Sequence, residues 1–243
     1  MKNRHWDCSR ATLGVMMAGV LLVIGSWAGS LQELPVRNML SPEGIRWFLQ
    51  SLLPNAEASP WLTLFVLVLG LGVLRESGLV QAICQALAFR QPRVGRLSRK
   101  RRQALVLALV FEVLYVVSLC IGTFSRHEIL LGVTGTLERS PFLAGWPLLA
   151  SVGLMLPGSI YGLASDKFRG LLDLLRSLSA LFVPMAGFFV YLFCVSQLLG
   201  MFCYAGFDTW WGVRMDILAP LFYYVPFFVC LVFSYGSDAP AGK

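Results

Sequence analysis

The residues of this chain whose type and placement could do chemistry are ionisable and hydrogen-bonding side chains inside long apolar runs. Arg75 and Glu76 stand together inside the run Trp61–Phe89, and Glu112 lies near the middle of Gln103–Phe124. A charge in hydrocarbon costs about 2.5–3.5 kcal/mol on insertion scales, so such groups normally face protein or water. They read either as contacts for an ion or polar substrate or as a structural pair that locks two helices. Arg75 and Glu112 have compatible depths in neighbouring antiparallel helices, and the arginine can reach by snorkelling, which predicts a contact between them. Glu76 competes less well, because adjacent helical residues point about 100° apart. Tyr161, within Gly158-Ser159-Ile160-Tyr161-Gly162, and Gln197, within Val195-Ser196-Gln197-Leu198, pose the same choice between lining a cavity and joining helices.

Other chemistry finds no support. The six cysteines, Cys8, Cys84, Cys120, Cys194, Cys203 and Cys230, are dispersed without a C-x-x-C pair. With His5 and His127 as the two histidines they supply no zinc, haem or iron–sulfur ligand set, so neither a metal nor another cofactor is expected. Most of them lie in apolar runs, where a thiol behaves as a small hydrophobe. There is no H-E-x-x-H, G-x-S-x-G, P-loop or Rossmann glycine pattern, and Gly70-Leu71-Gly72 lacks a third glycine. No aspartate falls within an apolar run, which argues against intramembrane aspartyl proteolysis, and the chain is not expected to be an enzyme.

The elements that must hold these residues follow from composition. Of 243 residues 57% are hydrophobic and 14% charged, and mean hydropathy is +0.70. A soluble domain carries about 25% charged residues, and a disordered one lacks these aromatic and branched side chains. The chain therefore reads as an all-α polytopic membrane protein of about six spans in one membrane domain: 11–31, 61–89, 103–124, 145–164, 177–203 and 217–235. No run alternates at period two, so a β-barrel is excluded. Between the first two runs, Ser41 as N-cap, Pro42 at the first position and Glu43 at the positive dipole end predict a short interfacial helix over about 42–53, with Pro54 as its stop. The run 61–89 is too long for one untilted span, which leaves a strong tilt or a break at 75–78; Gln81 and Gln85 favour the break.

Charge placement sets the orientation. If both termini lie inside, fourteen of the twenty basic residues share that side, from Lys2 through the Arg90–Arg102 block, Lys167, Arg169 and Arg176 to Lys243; five lie opposite and Arg75 is within a span. This predicts that both termini are cytoplasmic. The start Lys2-Asn3-Arg4 before 11–31 reads as an uncleaved signal anchor, with a cleavable signal ending near Ala28 as the other reading. The net charge of +7 is explained by orientation and implies a lipid bilayer as partner, with no nucleic acid. The loop containing Asp166, Lys167, Arg169, Asp173 and Arg176 reads as solvated.

Two stretches, Asn38-Met39-Leu40-Ser41-Pro42-Glu43-Gly44-Ile45-Arg46-Trp47 and Gly70-Leu71-Gly72-Val73-Leu74-Arg75-Glu76-Ser77-Gly78-Leu79, resemble the N-terminal part of the AbgT family of p-aminobenzoyl-glutamate transporters. Leu156-Pro157-Gly158-Ser159-Ile160-Tyr161-Gly162-Leu163 is similar to that family's P-G-[IL]-[VI]-Y-G-[IV] segment, and Val195-Ser196-Gln197-Leu198 stands where the family tends to have A-A-Q-F. The Arg75-Glu76 order is inverted relative to the family's, its S-D-A-G and G-G-F-S-A-N blocks have no counterpart here, and its members are longer. The resemblance is thus to a shortened or degenerate member. It implies a transporter-like protein handling a small organic anion such as an aminobenzoyl-glutamate, with a homo-oligomer or a membrane partner protein as a further expectation. The alternative is a non-transporting accessory or interaction protein built on the same scaffold.

Overall fold

The computed structural model describes residues 8–87, 98–124 and 140–236. Every regular element among them is helical: α1 (Cys8–Leu31), α2 (Pro42–Ala58), α3 (Trp61–Ser77), α4 (Leu79–Leu87), α5 (Arg99–Phe124), α6 (Pro141–Ala164), α7 (Leu171–Ser179), α8 (Phe182–Ala205), α9 (Phe207–Trp211) and α10 (Met215–Gly236). Five stretches are long and apolar enough to cross a membrane, and α2 with α3 makes a sixth if counted as one bent span. This is a polytopic helical membrane protein. Phe89, His127 and the Arg90–Arg96 part of the basic block lie outside the described residues.

The chain divides into two compact units, residues 63–183 and residues 1–62 with 184–243. In the first unit α3 approaches α6 through Gly70, where a Cβ would stand 2.5 Å from the Ser151 carbonyl oxygen, while the Ser151 hydroxyl donates to Val66 O at 2.7 Å. Small residues admit this backbone-to-backbone contact, which in hydrocarbon replaces the hydrophobic drive as the source of helix association. The Tyr115 hydroxyl of α5 donates to Leu149 O of α6 at 2.8 Å. Much of the rest of α5 is exposed, including Leu109, Val113, Leu114, Val117 and Ile121, the apolar surface that lipid covers.

In the second unit Ser41 caps α2 by accepting from Gly44 N at 3.0 Å, with Pro42 next to it. The helix does not stop at Pro54 but continues to Ala58, with Ser59 as its C-cap. Proline removes one ladder bond, and side-chain bonds from Gln197 and Asn55, described below, hold the segment around it. The stretch expected as one span, 177–203, lies within a single membrane-crossing stretch of 35 residues, Leu171–Ala205. Helix α7 begins at Leu171 and passes into α8 at Phe182 through a turn at Ala180 and Leu181, with Ala180 still in the right-handed helical region. Asp173 and Arg176, read as loop residues, are therefore helical. Phe188 is fully buried in an aromatic group with Tyr191 and Phe227, and Trp47 stacks on Tyr204 at 4.2 Å.

Candidate functional site

The site grows from the joint between α3 and α4. Gly78 takes φ 74°, a backbone conformation that costs an L-residue with a side chain. Ser77 bridges the joint: its hydroxyl donates to Leu74 O at 2.8 Å and accepts from Leu79 N at 3.2 Å. The side of Gly78 is filled by Lys167, whose Nζ lies 3.0 Å from where a Cβ would be. An ammonium there meets the negative end of the α3 dipole. Lys167 reaches this place because the chain turns sharply after α6: Asp166 adopts φ 60°, and both Lys167 N and Phe168 N donate to Gly162 O at 2.9 Å.

Around the joint are two polar cavities that share Lys167. One, of about 370 Å³, is lined by Ser77, Gly78, Gln81, Ala82, Gln85, Arg101, Tyr161, Ser165, Asp166 and Lys167. The other, of about 480 Å³, is lined by Glu76, Lys167, Phe168, Asp173, Arg176, Ser177 and Ala180. In the first, Asp166 is ion-paired with exposed Lys100, which leaves Arg101 and Lys167 as its unbalanced charges. Gln81 and Gln85, one turn apart on α4, add amide donors and acceptors, and Ser165 and Tyr161 complete the polar lining. The inventory suits a small anion that also carries hydrogen-bonding groups. In the second cavity Asp173 accepts from Arg169 N at 2.9 Å and pairs with Arg176 at 3.7 Å, so the charges nearly balance.

The residues singled out from sequence fall into three places. Glu76 and Tyr161 line the two cavities and meet through Lys167. Tyr161 is 4% exposed, with its ring in a cluster of Leu79, Ala82, Ala104, Leu105 and Ala108. Arg75 is half-buried in the last turn of α3 and is on neither cavity wall. Glu112 lies against α6, its Oε1 3.6 Å from the Cβ position of Gly153. Its buried Oε2 takes no hydrogen bond from Arg75 or any other described residue, so the anticipated Arg75–Glu112 contact is not made in its direct form. Gln197 belongs to the other unit and works in packing: Nε2 donates to Leu52 O at 2.9 Å, and Oε1 accepts from Asn55 Nδ2 at 3.2 Å.

Lys167 and Arg101 were not singled out. Their lysine- and arginine-rich surroundings read as solvated loop and orientation signal, whereas the i, i+4 spacing of Gln81 and Gln85 did mark one face of α4 as polar.

A broken helix beside polar cavities is a feature found in many membrane transporters. The profile of the AbgT putative transporter family matches residues 91–220, more than half of the chain. The chain belongs to the AbgT family. The match takes in Leu156–Leu163 and Val195–Leu198 and leaves out the stretches before residue 91. No curated protein and no solved structure matches the chain significantly.

Proposed function

We propose that this transporter-family protein binds a small organic anion, an aminobenzoyl-glutamate or a related compound, at the α3–α4 joint. The observation that carries the reading is the cavity of about 370 Å³ in which Arg101 and Lys167 face Gln81, Gln85 and the Tyr161 side. The two cations attract the carboxylates, and the amides orient the remainder by hydrogen bonds. The joint supplies an irregular backbone only where it borders a cavity, as hydrocarbon requires. Family membership supports transport as the class of activity. The basic asymmetry supports an inner-membrane location with both termini cytoplasmic, which puts the Lys167 cavity on the cytoplasmic side.

The test is equilibrium binding of labelled p-aminobenzoyl-glutamate to proteoliposomes sorted by orientation. Binding should saturate, should occur from the side that carries Lys167, and should weaken roughly tenfold in Lys167→Gln and in Arg101→Gln, the loss of about one charge-assisted hydrogen bond. Saturable binding that neither variant alters would sink the site. Binding without uptake would favour the accessory reading over transport.

A further inference from the structure

The unit formed by residues 1–62 and 184–243 holds two thiols in contact that play no part in the reading above. Cys8 is the first residue of α1, half-buried, and is followed by exposed Ser9 and Arg10 ahead of the apolar run. Cys230 is on α10 and is 6% exposed. Their Sγ atoms lie 3.1 Å apart although 222 residues separate them in the chain. Gly187 of α8 admits Cys8 to this position, since a Cβ there would stand 3.1 Å from Cys8 Cβ. A disulfide holds its sulfurs at about 2.0 Å. The two sulfurs therefore need to close by about 1 Å.

We propose that Cys8 and Cys230 are a reversible oxidation site that hydrogen peroxide converts to an intrachain disulfide joining α1 to α10. Cys8 is the more accessible thiol and reacts first. It loses its proton, and the thiolate attacks one peroxide oxygen; an S–O bond forms, the O–O bond breaks, and the departing hydroxide takes up the proton as water. Cys230, already in contact, then attacks the sulfur of the Cys8 sulfenic acid. The S–S bond forms, the S–O bond breaks, and the hydroxyl leaves with the Cys230 proton as a second water. Two thiols give up two electrons and one hydrogen peroxide is reduced; the products are the disulfide and two waters. A resolving thiol in contact protects the sulfenic acid from further oxidation, the arrangement that distinguishes a reversible site from a damaged one. A dithiol reductant reverses the reaction by exchange.

The experiment uses the purified full chain, reduced and then treated with hydrogen peroxide, with free thiols alkylated and peptides identified by mass. The expected result is loss of alkylation at both Cys8 and Cys230, a linked peptide pair lighter by two hydrogens, and recovery of both thiols with dithiothreitol. Cys84, Cys120, Cys194 and Cys203 remain alkylated. In Cys230→Ser the Cys8 sulfenic acid persists and is trapped by dimedone, and in Cys8→Ser the Cys230 thiol stays alkylatable. Full alkylation of Cys8 and Cys230 after peroxide overturns the proposal. So does a link from Cys8 to another cysteine or to a second copy.

Discussion

Gln197 and the pair Gln81 and Gln85 are amides set in equally apolar stretches of helix, yet they are used in opposite ways. Gln197 spends both ends of its amide on protein, one on Leu52 O and the other on Asn55, and Gly200 one turn further along α8 leaves room for the Asn55 side chain to press against the helix. The amide is thus spent on protein and Gln197 is 6% exposed, and the cavity of about 450 Å³ that it borders is lined almost wholly by apolar side chains such as Val15, Met16 and Phe193. Gln81 and Gln85 are instead exposed on α4 and border a polar cavity beside the turn at Gly78. The difference teaches that a polar side chain in an apolar run reports a need for partners, not the kind of partner. Where a glycine lets another helix close in, the partner is protein; where a glycine bends the chain away, the space is left for water or ligand.

The largest effect should come from opening the closed region. Gln197→Leu strands the Asn55 amide beside α8 and should cost about 2 kcal/mol in thermal or chemical unfolding in detergent, with organic-anion binding unchanged. Wild-type stability in that variant would show that the closed cluster is not a lock. Next is the open region itself. Gly78→Ala meets both the φ of 74° and the Lys167 ammonium, and should cost about 1–2 kcal/mol while weakening anion binding, because the ammonium is displaced. A stable variant with intact binding would separate the joint from the cavity. The smallest effect is expected from Asp166→Asn, which removes an exposed ion pair with Lys100. Stability should move by less than about 1 kcal/mol, and anion binding should tighten at low salt and lose that gain as salt is raised. A large loss of stability there would mean that the Asp166 turn is held by its charge rather than by its backbone bonds to Gly162.

How far the molecule was legible depended on how local each cause was. The capping of α2 was readable because Ser41, Pro42 and Glu43 act within one turn. Its far end was not: Pro54 is a local stop signal, but bonds from α8 carry the helix through it. In the site, Glu76 and Tyr161 drew attention as polar groups in apolar runs. Lys167 did not, because a lysine in a charged loop looks solvated until the φ of Asp166 and the absent side chain of Gly78 are known to bring it to the joint.

What the sequence determined without help is the solvent. With 57% hydrophobic residues in runs that span hydrocarbon, every backbone group in those runs has to be satisfied within its own segment, and a helix does this at every position. The constraint is local and repeats at each residue, so composition and run length suffice to specify a helical membrane protein. Tertiary structure alone decided the fate of each polar side chain: Glu112 against Gly153 instead of Arg75, Gln197 against α2, Tyr161 and Lys167 beside a cavity, and Cys8 on Cys230. Those outcomes depend on which helices meet and at what height. Close approach of small residues and the direction of a single turn set that height, and both act between positions far apart in the chain.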